Sequence, residues 1–356
     1  MGITKWIMPE PIPAFAAPPS WNEMQISDTV RKGVVFLGWK EGDKFIPKAT
    51  GFIMRIQEED FLFGYIVTAQ HCVGKLYEPD EYGNRREVFF SLNRWEGPPA
   101  LIKVDYKEWW NHPDTSQVVD VAVLWTGLDE RIYDYTWGGI EFVLTADLIR
   151  EKEIGVGDEV AIVGLFRNHA GRKKNIPIVR IGNISAMPDE PVWTQYGNIE
   201  AYLIEARSIG GLSGSPVFLS LGSWRSINSS YTYQGTGLPF YLLGLMHGHF
   251  DVKDLNADVV LDLEEATPVG IHSGIGVVIP ASKIVETLMQ KDLVEQRKET
   301  IRKAKSESTV IPDFASSDVT SAPSAPSADD ANPNHLADFK RLVDVAARKR
   351  PQGDQT

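Results

Sequence analysis

The strongest constraint on the fold is a succession of short apolar runs between Val30 and about Pro280. They are rich in β-branched and aromatic residues, and Gly, Pro or Asn separates each run from the next; examples are GVVFLGW, FGYIVTA, VVDVAVLW, DEVAIVGLF and FYLLGLM. The chain lacks the alternating helical patterns of 10–15 residues that a parallel α/β sheet needs. The pattern predicts an all-β domain, either a barrel or a sandwich.

The two ends of the chain differ from this β-rich part. Residues 1–29 are rich in Pro and small residues and predict an extended N-terminal arm. The segment ASKIVETLMQKDLVEQRKETIRKAKS predicts one helix that packs its first turns on the β domain and then runs into solvent. We therefore expect the folded domain to span residues 30–306.

The last fifty residues predict a linker and a short helix. Residues 307–335 are rich in Ser, Pro, Asp and Ala, a composition typical of disorder. Residues 336–350 regain a helical pattern with one apolar face and a basic end. This segment is a candidate contact for a regulatory protein partner.

Composition excludes several classes of function. The 356 residues carry a net charge of −12, which argues against nucleic acid because phosphate binding needs a concentrated basic surface. The apolar runs are too short to span a bilayer, and prolines interrupt the N-terminal segment where a signal peptide needs an apolar helix. Cys72 is the single cysteine, so no intrachain disulfide can form. We expect a cytoplasmic protein without a membrane partner.

Two segments contain polar side chains in an unusual apolar setting. In FGYIVTAQHCVG, His71 follows the end of an apolar strand, although a histidine satisfied within the core is the more common explanation. In HPDTSQVVDVAVLW, Asp120 precedes a fully apolar run. A carboxylate there needs a partner because burial without one costs several kcal/mol. A histidine N–H would serve, and an aspartate that caps a turn at a sheet edge is the alternative.

A third segment, SIGGLSGSPVF, presents Ser213 among glycines. The backbone N–H groups of Gly211 and Ser213 could point in one direction, with Gly214 relieving steric crowding. The alternative is a glycine-rich tight turn without chemistry. Acyl transfer needs a nucleophile, a base, a group that orients the base, and donors for the oxyanion, and the three segments offer a candidate for each.

The order and spacing of the three residues are informative. His71, Asp120 and Ser213 are separated by 49 and 93 residues. These separations are similar to the roughly 45 and 93 residues of the His, Asp, Ser order in one class of serine protease. The agreement of three segments favours catalysis over three unrelated structural explanations.

The segments TAQHC, DVAVL and GLSGSPV resemble the three signature segments of trypsin-like (chymotrypsin-fold) serine proteases. The hairpin ATGFIMRI…GYIVTAQHCV and the segment VGDEVAIVGLFRNHAGRKKNIPIVRIGNISAM resemble the bacterial HtrA/Deg branch. SGSPVF resembles the glutamyl endopeptidase branch. The likeness covers roughly residues 30–292.

This resemblance implies two six-stranded antiparallel β-barrels, which the C-terminal helix and the disordered tail predicted from the sequence pattern would follow. It implies that His71 is the general base, that Asp120 orients it and that Ser213 attacks. The N–H groups of Gly211 and Ser213 would form the oxyanion hole. The implied activity is that of a serine endopeptidase acting on a protein or peptide, without metal or cofactor.

Some residues depart from the family pattern. Cys72 stands where secreted animal members have a half-cystine, and its partner is absent. Leu212 stands where zymogen-type members have an aspartate, so activation by a freed N-terminus is not expected. The residues that follow the start of the C-terminal helix are mostly rich in Ser and Pro, and we expect no PDZ domain of the HtrA branch among them.

Substrate specificity is predicted from residues near the expected pocket. Its floor should lie near Arg207 and Ser208, and one wall near His247 and His249. If Arg207 points inward, it favours an acidic substrate side chain by charge pairing; otherwise it faces outward and the histidines are ordinary cleft residues. The pair His247 and His249 lacks the further ligands of a metal site.

Two other functions compete with an active endopeptidase. One is a latent or inactive protease-fold sensor that binds peptide and is switched by a partner; the intact set of His71, Asp120 and Ser213 favours the enzyme over it. The other is an esterase. The sequence GLSGS lacks the last glycine of the esterase motif, and the residue order also differs.

Overall fold

The computed structural model describes residues 28–136, 138–206, 211–221, 224–227, 230–233, 240–251 and 272–309. Arg207 and Ser208 lie outside the described residues. So do residues 1–27 of the predicted arm, the predicted linker beyond residue 309, and the predicted helix 336–350.

The first unit is a sheet built from the N-terminal strands. Its members are β1 (Val34–Glu41), β2 (Lys44–Glu58), β3 (Phe61–Thr68), β4 (Val88–Leu92), β5 (Ala100–Val104), β6 (Trp109–Asn111), β7 (Ala122–Thr126) and β8 (Gly138–Gly139). The order is β5-β4-β1-β2-β3-β7-β6, and the short β8 pairs with β2 in parallel. All other pairs in this sheet are antiparallel.

The second unit is a closed antiparallel barrel of six strands in the order β10-β13-β18-β17-β14-β9. These strands are β9 (Glu159–Gly164), β10 (Ile178–Ala186), β13 (Tyr202–Glu205), β14 (Pro216–Ser220), β17 (Phe240–Asp251) and β18 (His272–Pro280). Two separate hairpins pair β11 (Val192–Thr194) with β12 (Gly197–Ile199) and β15 (Trp224–Ile227) with β16 (Ser230–Tyr233).

The expectation of two closed six-stranded barrels is correct for the second unit only. The first sheet has eight strands, and β5 and β6 lie at its opposite ends without pairing among the described residues. A single 3-10 turn at Tyr106–Glu108 joins these two strands, and Asp105 and Glu108 form its capping box. Because only residues 105–108 separate β5 from β6, the two edges of the sheet lie near each other, and the first unit is a curled sheet that no strand pairing closes among the described residues.

The two units share one core. A buried apolar cluster includes Val67 and Val123 of the first sheet together with Leu245 and Ile279 of the barrel. Close-packed interiors resist deformation. Side chains at the junction of the units are therefore held in place from both sides.

Five α-helices accompany the sheets in the described part of the chain: α1 (Asp28–Lys32), α2 (Gln70–Tyr77), α3 (Ala146–Glu151), α4 (Ala281–Leu288) and α5 (Lys291–Thr309). The segment after Pro280 thus forms two helices, where one was expected. Leu293, Arg297 and Ile301 of α5 are buried, so this helix packs on the protein. The expectation that this part of the chain runs into solvent is therefore wrong as far as Ile301. No described helix is long and apolar enough to cross a membrane.

Candidate active site

His71 lies in the first turn of α2, directly after β3. Its backbone N–H donates a hydrogen bond of 2.8 Å to Oδ1 of Asp120, and its ring Nδ1 lies 2.7 Å from Oδ2 of the same carboxylate. The imidazole is mostly buried, with 11% of the side chain exposed. One carboxylate therefore fixes both the backbone and the ring of His71.

Asp120 is buried just before β7, with 4% of its surface exposed. Burial by itself raises its pKa, but hydrogen bonds from His247 and His71 and the charges on those rings outweigh burial and lower the pKa to about 2. The side chain is thus a carboxylate, which only accepts hydrogen bonds. In its neutral form His71 must then carry its hydrogen on Nδ1, which leaves the lone pair on Nε2.

A second histidine contacts the same carboxylate. His247 of β17 is 6% exposed, and its Nδ1 makes a short hydrogen bond to Oδ2 of Asp120. His247 was predicted at the wall of the substrate pocket, and its contact with Asp120 was not predicted. The backbone explains the proximity, because the neighbouring Met246 accepts the N–H of Gly214 beside Ser213.

Tyr196 completes the surroundings of the two histidines. It lies in the turn between β11 and β12, and its ring stacks on His71 with centroids 5.2 Å apart and an interplanar angle of 25°. It meets His247 edge to face at 5.4 Å. Sequence reasoning missed this residue, and nothing in its segment signals a role.

The segment 211–214 adopts a conformation that glycine favours. Gly211 has φ of 111° and Gly214 has φ of 86°. A Cβ added at Gly214 would lie 2.0 Å from the backbone oxygen of Thr50 and 2.3 Å from Oγ1 of Thr68. The glycine after Ser213 is therefore required both by backbone conformation and by close packing.

Thr50 of β2 anchors this segment to the first sheet. Its N–H donates to the carbonyl of Ser213 at 3.1 Å, and its hydroxyl donates to the carbonyl of Gly211 at 2.7 Å. The same hydroxyl accepts the N–H of Leu165. Thr50 thus ties the Ser213 segment to both units, a role that the sequence alone did not reveal.

The backbone donors around Ser213 fall into two groups. The N–H of Gly214 donates to Met246 and that of Ser215 donates to Leu212. By contrast, the N–H groups of Gly211 and Ser213 have no acceptor within the described ranges. Within that part of the chain, nothing competes with an incoming oxygen atom for these two donors.

Two of the three predicted catalytic side chains, His71 and Ser213, open into one cleft. His71, Ser213, Tyr196, His247 and His249 all line a cavity of about 260 Å³. Among the described side chains, the hydroxyl of Ser213 makes no hydrogen bond to His71. The structure therefore brings nucleophile and base candidates to one cavity without a direct bond between them.

Cys72 lies next to His71 and is buried. Its Sγ is 3.5 Å from Nε2 of His71. Burial raises the pKa of the thiol, and the Asp120 charge adds to this shift. Cys72 is therefore a neutral thiol, a weak hydrogen-bond donor beside the nitrogen that would act as base.

His71, Asp120 and His247 are also a group that could hold a metal ion, because their ligand atoms lie within 4.8 Å of one another. Because an ionised Asp120 only accepts hydrogen bonds, each Nδ1 must carry a hydrogen as long as no metal is bound. A nitrogen that carries a hydrogen has no lone pair for a metal. The geometry is that of a hydrogen-bonded group centred on Asp120.

No protein-family model and no curated protein matches this chain. Solved structures similar to it include the MamO protease domain from Magnetospirillum magneticum in its apo form, at 17% identity and a TM-score of 0.44, covering 74% of this chain and 98% of that one. The Rv3671c protease from M. tuberculosis is also similar: its active form has 15% identity and a TM-score of 0.37 and covers 73% and 81% of the two chains. Likeness at this level does not establish a family.

We expect His247→Ala to destabilise the protein by about 2 kcal/mol at pH 7, since it removes a hydrogen bond to a buried carboxylate. The pKa of Asp120 lies below its ordinary value of 3.8, so this stabilisation is present above about pH 4 and is lost as pH falls toward 2. Urea unfolding at several pH values measures it. The exposed His169→Ala is the matched control, and an equal effect of both substitutions at pH 7 would refute the role of His247.

Proposed function

We propose that this protein is a serine endopeptidase in which Ser213 is the nucleophile, His71 the general base and Asp120 the group that orients the base. The observation that supports this most strongly is the His71–Asp120 pair, whose two hydrogen bonds fix the imidazole at a cavity that Ser213 also lines. More specifically, we propose a trypsin-like peptidase. In this proposal the eight-stranded first sheet takes the place of the first of the two barrels of that fold.

The chemistry follows from the protonation states. Nε2 of His71 takes the proton of the Ser213 hydroxyl as the oxygen attacks the peptide carbonyl. The same nitrogen then gives this proton to the departing amine, and an acyl-enzyme remains. Water, activated by Nε2, hydrolyses the ester and restores the hydroxyl. Asp120 stays ionised throughout and stabilises the positive charge on the imidazole.

The developing oxyanion needs donors that are not otherwise engaged. In the proposal these donors are the N–H groups of Gly211 and Ser213, which have no acceptor within the described part of the chain. Donors that already point at the future oxyanion need no reorganisation when charge develops. Gly214 and Thr50 support them by holding the segment in its turn.

Labelling with a fluorophosphonate probe tests the function directly. We expect the purified protein to be labelled at Ser213 and the Ser213→Ala and His71→Ala variants to remain unlabelled, because the probe reacts with a serine that a base has activated. Mass spectrometry of the labelled peptide identifies the site. Labelling that persists in the Ser213→Ala variant would exclude Ser213 as the nucleophile.

A latent or peptide-binding protein of the same fold is the second candidate. One observation favours it: the Ser213 hydroxyl makes no hydrogen bond to His71 among the described side chains, while the Cys72 thiol lies 3.5 Å from Nε2. A wild-type protein that is folded by circular dichroism but not labelled supports latency. A regulatory partner and the predicted cytoplasmic location remain predictions.

A further inference from the structure

A second cavity of about 260 Å³ borders the proposed catalytic residues. His71 and Ser213 line it on one side, and three cationic side chains together with Trp39 line much of the rest. The cations are Lys48, Lys75 and Arg167. None of the described residues that line this cavity is acidic.

Two of these cations, Lys48 and Arg167, have no carboxylate partner among the described residues, whereas Lys75 interacts with the Tyr196 hydroxyl and the Glu78 charge. Lys48 places its Nζ 4.5 Å from the centre of the Trp39 ring, and Arg167 donates to the backbone carbonyl of Lys48 at 3.2 Å. Lys75 lies 5.8 Å from the Tyr196 ring. The chain as a whole has a net charge of −12, so this pocket is a local concentration of positive charge in an acidic protein.

The position of Cys72 shows which part of a substrate would enter this pocket. Its Sγ lies 3.5 Å from Nε2 of His71, and Cys72 lines this cavity but not the cavity that contains His247. Nε2 is the atom that must protonate the departing amine. The residues that follow the scissile bond therefore leave through the side of the cleft on which the cations lie.

We propose that this cationic pocket binds an acidic side chain of the substrate on the leaving-group side of the scissile bond, an inference that rests on the proposed function. Lysine and arginine bind carboxylates through charge-assisted hydrogen bonds, and the three cations here converge on one space. Trp39 supplies an apolar wall for the methylene groups of a Glu side chain. The preference is separate from the one predicted for Arg207, which concerns the acyl side.

The first experiment maps cleavage sites in a mixture of denatured proteins. We expect Asp and Glu to be enriched at the first two positions after the cleaved bond. Peptides that differ only by Glu or Gln at the enriched position then give a ratio of kcat/KM values. We expect this ratio to be about tenfold in favour of Glu, as for one charge-assisted hydrogen bond, and to fall at high salt.

Substitutions in the pocket test which residues set the ratio. Arg167→Gln and Lys48→Gln should lower the Glu-to-Gln ratio toward one, and Arg167→Glu should favour a peptide with Lys at that position. The matched control is Lys107→Gln, which removes the same charge from an exposed turn outside the pocket. An unchanged ratio in the pocket variants would overturn the proposal.

The design separates failure of this inference from failure of the proposed function. Cleavage without preference for Glu over Gln overturns the acidic pocket and leaves the peptidase intact. Absence of both labelling and cleavage contradicts the peptidase, and the pocket is then tested by binding of the paired peptides to the Ser213→Ala variant. Tighter binding of the Glu peptide supports the pocket, and equal or undetectable binding of both overturns it.

Discussion

Replacing Asp120 by asparagine is expected to lower kcat by about 10⁴-fold while leaving the fold intact, because the substitution changes the tautomer of His71. In the present arrangement Asp120 accepts the ring hydrogen on Nδ1 of His71, so Nε2 has the free lone pair of a base. A neutral amide of the same size keeps the contacts but not this arrangement of hydrogens.

The backbone decides how the asparagine amide would lie. The N–H of His71 donates to Oδ1 of Asp120, so an amide at residue 120 must place its oxygen there and its NH₂ group at the position of Oδ2. That NH₂ would donate to the Nδ1 atoms of His71 and His247. Both rings would then carry their hydrogen on Nε2, and His71 could not take the proton of Ser213.

Peptide turnover, or the rate of fluorophosphonate labelling, measures the effect, and circular dichroism checks the fold. Asp43→Asn makes the same change at an exposed turn and serves as the control. A fall of less than tenfold in the Asp120→Asn variant would mean that Asp120 does not set the tautomer of the base. Loss of the fold in this variant alone would indicate that its contribution is structural.

Much of the fold follows from local pattern. Runs such as GYIVTA and DEVAIVG became β3 and β9 because their apolar, β-branched residues are buried between packed layers. Closure of a barrel depends instead on which distant edges meet. The lack of closure in the first sheet was therefore not predictable from its strands, since β5 and β6 follow each other closely in the chain and yet do not pair.

The candidate site was likewise predictable from the sequence only in part. The positions of His71, Asp120 and Ser213 in their segments suggested one cleft; His71 and Ser213 do line one cavity and Asp120 contacts His71, while their catalytic roles remain predictions. The contact of His247 with Asp120 depends on the register of β17. No pattern within LLGLMHGHF distinguishes a histidine that points at a carboxylate from one that faces the cleft.

The C-terminal helices reveal a further limit of pattern reading. A charged residue at position 297 predicts a solvent-facing side chain, yet Arg297 has no exposed surface. Its Nε donates to Glu58 at 2.5 Å, and its Nη1 donates to the Tyr65 hydroxyl at 3.0 Å and to the carbonyl of Leu288 at 2.8 Å. One guanidinium thus joins α5 to two strands of the first sheet and to the end of α4.

We expect Arg297→Ala to destabilise the protein by about 3–5 kcal/mol, which is typical of a broken buried ion pair. The substitution leaves the Glu58 carboxylate, the Tyr65 hydroxyl and the Leu288 carbonyl without their partner. The pKa of Tyr65 is raised to about 12, because burial raises it by more than the Arg297 charge and hydrogen bond lower it. Urea unfolding at pH 7 measures the loss.

The same helix provides the control, because Arg302 is 61% exposed and pairs only with Glu295 and Glu299 on the helix surface. Exposed pairs of this kind contribute at most about 1 kcal/mol, so Arg302→Ala should have a small effect. A double-mutant cycle of Arg297→Ala with Tyr65→Phe should be non-additive, since the two residues share a hydrogen bond. Equal effects of the two arginine substitutions would show that α5 is not fixed to the first sheet by Arg297.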